Sequence, residues 1–220
     1  GNTEHGDFGC LLDGDLDLDK PISIAFDFNA NINWLVAGQR DGLRLKILKS
    51  FFVKYERKLR ELVDDFCHYY RAHRTKDVVF YYDATALGSN YAVSDQDFKS
   101  VIIEQFNKHG WTVEDMFIGK PIRHTEKYTI LDQGFTGAKG LLPMFNKENN
   151  EALLIAISLA EVRVTPGLGW HKHKGGEKLL ETEDDLLEHR TDGTDAFDTL
   201  YLGNSLYPYS ISGVGIGSSI

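Results

Sequence analysis

Between residues 20 and 54 the sequence holds three strand-like runs in a row, joined by links that suit only antiparallel pairing. Pro21-Ile-Ser-Ile-Ala-Phe-Asp-Phe28 is an apolar run of the kind that forms a buried strand. Asn29 to Asn31 supply turn residues, and residues 32–39 read as a second strand. Asp41-Gly42 favours a tight hairpin, and residues 43–53 alternate apolar and polar side chains as a half-exposed third strand should.

The period then changes. Tyr55, Leu59, Leu62, Val63, Phe66 and Tyr70 recur every three or four residues, which predicts an amphipathic helix over 55–73. Asp77-Val-Val-Phe-Tyr-Tyr-Asp83 is a fourth, buried strand. Ser94 followed by Asp97 resembles a capping box opening a helix over 95–109, which Gly110 ends. Residues 111–118 give a fifth strand, and helices are expected over 124–137 and 148–162. Asp192 or Thr194 caps a last helix running to about Tyr201. The order βββαβαβ, then helices, predicts an α/β fold. Its mixed sheet has five or more strands in the order 3-2-1-4-5, strand 2 antiparallel, with helices on both faces.

This topology places two carboxylates. If strand 1 points up, strand 4 returns beside it pointing up, so Asp27 and Asp83 fall at the upper ends of adjacent parallel strands. A carboxylate near a core must be paired, hydrogen-bonded or metal-bound, so one reading is two loop caps and the other a shared site. Asp195 and Asp198 come later, one helical turn apart, where the helix dipole accounts for Asp195 better than for Asp198. Carboxylates converging on a wet rim need a cation, and oxygen-only ligands suit Mg²⁺ or Mn²⁺. Two such ions are a known apparatus for in-line displacement at phosphorus, with no Ser, Cys or His nucleophile required.

Charge bears on the partner. Lys plus Arg number 24 and Asp plus Glu 33, for a net charge of −9, which at first sight argues against nucleic acid. The excess is uneven: residues 1–20 carry net −5, 21–118 net 0, 119–178 net +3 and 179–220 net −7. The basic stretch supplies Lys120, Arg123, His124 and Lys127 just after strand 5, on the same rim as Asp27 and Asp83. Trp170-His-Lys-His-Lys174, flanked by glycines, reads as a basic hairpin whose Lys172 and Lys174 would meet phosphates, or else as a solvated loop. His171 and His173 share a strand face and are candidate metal ligands, though exposed loop histidines are the commoner case. No apolar run is long enough to span a membrane, and two cysteines, Cys10 and Cys67, do not make a disulfide framework.

Asp27 in Ala-Phe-Asp-Phe-Asn, Asp83 in Phe-Tyr-Tyr-Asp-Ala-Thr and Asp198 in Asp-Ala-Phe-Asp-Thr-Leu-Tyr, after a three-strand meander, resemble the nuclease domain of tailed-phage terminase large subunits. The likeness runs over roughly residues 20–205. It implies a ribonuclease H-like fold and a divalent-metal-dependent endonuclease that cuts concatemeric double-stranded viral DNA during genome packaging. Two Mg²⁺ or Mn²⁺ would be held by Asp27, Asp83 and Asp198. Asp195 stands where some relatives have His and is a fourth ligand or a supporting group, and Tyr201 stands where the family has Arg. Asn29 and Thr85 would orient water or phosphate.

The resemblance also implies an ATPase motor domain in the same full-length chain, with portal and small terminase subunit as further partners, in the cytoplasm of a bacterial host. Gly1 and the missing phosphate loop fit a C-terminal piece: an acidic arm over 1–19, the nuclease domain over 20–206 and a Gly/Ser-rich tail over 207–220. Competing readings are a junction resolvase or RNA/DNA-hybrid hydrolase of the same fold, and a non-catalytic docking domain of a packaging machine.

Overall fold

In a computed structural model, residues 10–29, 31–88, 97–120, 122–160, 162–165, 169–172 and 191–209 are described. The strands are β1 (Cys10–Leu11), β2 (Ile22–Asp27), β3 (Ile32–Asp41), β4 (Arg44–Lys54), β5 (Asp77–Tyr82), β6 (Thr112–Phe117), β7 (Leu142–Asn146), β8 (Val162–Thr165) and β9 (Gly169–Lys172). The helices are α1 (Leu59–Tyr69), α2 (Phe98–Lys108), α3 (His124–Phe135), α4 (Glu151–Leu159) and α5 (Asp192–Leu206). No helix among the described residues is long and apolar enough to cross a membrane.

Seven strands form one sheet in the order β1-β7-β4-β3-β2-β5-β6. The middle five stand in the order the sequence predicts, with β3 antiparallel to β2 and β4, and β5 parallel to β2 and β6. The fold is ribonuclease H-like. Two strands are additional: β7 runs parallel to β4, and β1 pairs with β7 at the edge.

Strand alternation sends successive side chains to opposite faces, and each face has its own core. Ile22, Ile24, Phe26, Val78, Phe80 and Tyr82 pack on α1 and α2 through Leu62, Phe66, Ile102 and Phe106. Ala25, Trp34, Val79 and Tyr81 face the other way, against Leu131 of α3, Leu153 of α4 and Phe197, Leu200 and Tyr201 of α5.

Several boundaries differ from the sequence reading. Helix α1 starts at Leu59 because a turn follows β4, with Tyr55 N–H donating to Asn31 O and Arg57 N–H to Lys54 O, each at 2.9 Å. Helix α2 is capped by Asp97 itself, whose Oδ1 accepts from Ser100 N at 2.6 Å; Ser94 lies outside the described residues. Residues 148–150 form a 3₁₀ turn ahead of α4, and Val162 belongs to β8. Helix α5 is preceded by Thr191 as N-cap and runs past Tyr201 to Leu206.

From residue 10 onward the acidic arm is tied to the sheet edge by hydrogen bonds, while Asp13, Asp15 and Asp19 stay exposed to solvent. Asp13 Oδ1 accepts from Asn146 Nδ2 at 2.8 Å and Asn149 Nδ2 at 2.7 Å, and Gln39 and Asp17 exchange hydrogen bonds of 3.0 and 2.8 Å. The expected tail also begins packed, with Tyr81 Oη donating to Tyr207 O at 2.8 Å; residues 210–220 lie outside the described residues.

Candidate active site

Asp27 closes β2, and Asp83 comes directly after β5. The β2–β5 ladder pairs Ile22 with Val78, Ser23 with Val79 and Ile24 with Phe80. Carried on in step, that register sets Asp27 level with Asp83, on neighbouring strands about 4.8 Å apart. Both residues share parity with Ala25, Val79 and Tyr81, so alternation directs them to the face covered by α3, α4 and α5. Both are half-buried, at the carboxyl ends of central parallel strands, where sites in such sheets gather.

The turn beyond β5 holds Asp83 in place. Asp83 caps a 3₁₀ turn over Ala84–Leu87, and its Oδ1 accepts from Thr85 N at 2.8 Å and from Thr85 Oγ1 at 2.6 Å. Asn29, two residues past Asp27, donates from Nδ2 to Asp192 Oδ1 at 3.1 Å, joining the end of β2 to the first turn of α5.

Helix α5 sits close on the sheet because glycines face aromatic rings. A Cβ at Gly193 would stand 2.9 Å from the Trp34 indole, and one at Gly203 would overlap the Tyr81 ring. Asn204 Nδ2 donates to Ser23 Oγ at 3.1 Å, and Ser23 Oγ donates to Gly38 O at 2.9 Å. These contacts fix the helix that carries Asp195, half-buried, and Asp198, 6 % exposed.

Asp198 is paired. Its Oδ2 lies 2.7 Å from Lys127 Nζ, with the two side chains 8 % and 12 % exposed. The sequence reading puts Lys127 at DNA with its neighbours; the structure turns it inward onto the acidic helix instead. The signal lies in α3: Lys127, Leu131 and Gly134 recur at four and three residues, and Leu131 and Gly134 are buried.

Lys120 and Arg123 are exposed, the first just beyond β6 and the second at the N-cap of α3. Residues 169–172 form a strand of an antiparallel ribbon, Val162 pairing with Lys172 and Thr165 with Gly169. His173 and Lys174 lie outside the described residues.

The donor chemistry suits a hard divalent cation, since Asp27, Asp83 and Asp198 offer carboxylate oxygens alone. Among the described residues no three His, Cys, Asp or Glu side chains stand together closely enough to hold an ion, with Asp198 on Lys127. Cys67 is no alternative nucleophile: burial pushes its thiol up to about 12.

No protein-family model matches the chain, and no curated protein does. Solved structures do. The chain is similar to the large terminase from a thermophilic bacteriophage, at 10 % identity and a TM-score of 0.52, covering 83 % of this chain and 39 % of that one. The same terminase in complex with ATP-gamma-S aligns at 10 % identity and a TM-score of 0.51 over 88 % of this chain and 45 % of that one. The large terminase nuclease from thermophilic phage G20c aligns at 12 % identity and a TM-score of 0.48, over 84 % and 83 % of the two chains. The chain thus spans about two fifths of the first of these terminases and shares the fold of that part.

Proposed function

We propose that this chain, which shares its fold with part of a phage large terminase, is a divalent-metal-dependent endonuclease that hydrolyses phosphodiester bonds of double-stranded DNA during viral genome packaging. One observation supports the reading: β2 and β5 are parallel neighbours paired from Ile22–Val78 to Ile24–Phe80, and that register, continued to the strand ends, would bring Asp27 level with Asp83 on the side of the sheet that α5 and its Asp198 cover.

In this reading Asp27, Asp83 and Asp198 hold one or two Mg²⁺ or Mn²⁺, with Asp195 beside them. Bound there, such ions supply an activated water and neutralise charge on the leaving oxygen. The chain's own groups do the rest. Thr85 fixes the carboxylate plane of Asp83, and Asn29 ties the Asp27 strand end to the first turn of α5. Lys120 and Arg123 meet the phosphates of the duplex, with Lys172 at the end of β9 and Lys174, two residues on in the sequence, as further phosphate partners. An ATPase motor in a longer chain, with portal and small terminase subunit, would bring the DNA.

The test is plasmid cleavage in Mg²⁺ or Mn²⁺ by wild type and by Asp27→Ala, Asp83→Ala and Asp198→Ala. Wild type should nick and linearise the plasmid, and each variant should lose at least a hundredfold in rate, on the order of what one central electrostatic group contributes. Cleavage by all three variants at the wild-type rate would overturn the assignment.

A further inference from the structure

We propose that Lys127 is a built-in counter-cation that occupies the Asp198 carboxylate and must be displaced before a divalent ion can use it. This inference rests on the metal-dependent reading above. The contact is direct, Nζ to Oδ2 at 2.7 Å, and both side chains are almost wholly withdrawn from water.

A carboxylate left alone in such surroundings is costly, so a fold that buries Asp198 beside α3 has to supply a positive partner. Lys127 supplies it from the adjoining helix. Its Nζ also lies 5.2 Å from the centre of the Tyr128 ring, a second feature favourable to a cation at that point. The two helices are held close: Tyr201 Oη donates to Leu141 O at 2.6 Å, beyond the end of α3, and the same hydroxyl fills the space in front of Gly134.

An ammonium in contact with Oδ2 and a divalent ion on the same oxygen repel at short range in a medium of low polarity. One has to leave, and the lysine can. Its charge rides on a flexible four-carbon stem, and a helical side chain leans toward the N-terminus of its helix. For Lys127 that direction is the first turn of α3, where Arg123 and His124 are exposed. Loading an ion onto Asp198 therefore moves a positive charge toward the solvent-facing basic residues that precede α3. The metal-free protein holds its acidic helix neutralised, and the loaded protein gains a cation where phosphate arrives.

The experiment is a calorimetric titration of the whole chain with MnCl₂, without DNA. It compares wild type, Lys127→Met, Lys127→Arg and Asp27→Asn. Lys127→Met keeps most of the stem and removes the charge, so it should bind Mn²⁺ on the order of tenfold more tightly, the scale of removing one like charge in contact. Lys127→Arg keeps the charge and can grip the carboxylate with two parallel bonds, so it should bind Mn²⁺ severalfold more weakly and remain folded if Lys127→Met does not. Equal affinities in wild type and both Lys127 variants, or weaker binding by Lys127→Met, overturn the inference. If Asp27→Asn alone abolishes the binding they share, the metal site itself stands. Saturable binding by none of the proteins overturns the metal-dependent reading and this inference with it.

Discussion

Thr85 gives Asp83 two hydrogen bonds to a single oxygen, one from its backbone N–H at 2.8 Å and one from its hydroxyl at 2.6 Å. The pair sets the plane of the carboxylate from within the turn that Asp83 caps. Thr85→Val keeps the backbone donor and the shape but loses the hydroxyl. A group that orients a ligand rather than supplying one typically costs ten- to a hundredfold when removed. Plasmid cleavage by Thr85→Val should fall by about tenfold. Thr85→Ser should restore it, and the melting temperature should barely move because Thr85 is exposed. Wild-type cleavage by Thr85→Val would remove Thr85 from the site.

Gly203 lies flat on the ring of Tyr81, with no room for a methyl group. Gly203→Ala lifts the C-terminal half of α5 from β5. Overpacking of this kind costs about 1–3 kcal/mol, and urea unfolding should show a lower midpoint at an unchanged slope, equivalent to a stability loss of that size. Because α5 also carries Asp198, the variant should lose cleavage activity at temperatures where it is still folded. An unchanged midpoint would mean that the helix shifts at no cost.

The contrast between these glycines and the strands shows what the sequence makes legible. The middle five strands are long apolar or alternating runs with turn residues between them, so their order and the shared rim of Asp27 and Asp83 follow from local pattern and connection rules. Strand β7 is hidden because Pro143 interrupts it and because its partner β4 lies far back in the chain. Strand β1 has two residues and no period of its own. Helix α5 outruns its expected end because Gly203, a residue that commonly stops helices, is needed for close packing on Tyr81. The Lys127–Asp198 pair joins two helices far apart in sequence, and a charged residue on an otherwise apolar helix face is its only trace.

His73 makes stability depend on pH. It is 2 % exposed, its Nε2 lies 2.8 Å from Lys20 O, and its Nδ1 is buried with no hydrogen-bond partner among the described residues. Burial first, and Lys76 after it, hold its pKa below 6.5, against the opposing pull of the Lys20 carbonyl, Asp17 and Asp19. The unfolded chain therefore takes up a proton at a higher pH than the folded one. The contribution of His73 is complete above about pH 6.5 and is lost as pH falls from there toward its folded value. Urea unfolding at pH 7.5 and pH 5.5 should show a smaller drop for His73→Gln than for wild type. An equal drop would assign the pH dependence to other groups.

The net charge of −9 sets what the basic residues can do for DNA. In the proposed reading a duplex would meet a protein that repels it overall, so association would depend on a local basic track, for which Lys120 and Arg123 are exposed candidates. Each phosphate contact releases counterions and contributes about 0.9 to the slope of log K against log salt for duplex DNA. Lys120→Ala with Arg123→Ala should therefore flatten that slope by nearly two and weaken binding alike on every sequence. A divalent ion on the acidic rim should strengthen wild-type binding by removing local repulsion, while Asp27→Asn should bind DNA more tightly than wild type in EDTA for the same reason. A double variant with the wild-type salt slope would place the DNA on another face of the sheet.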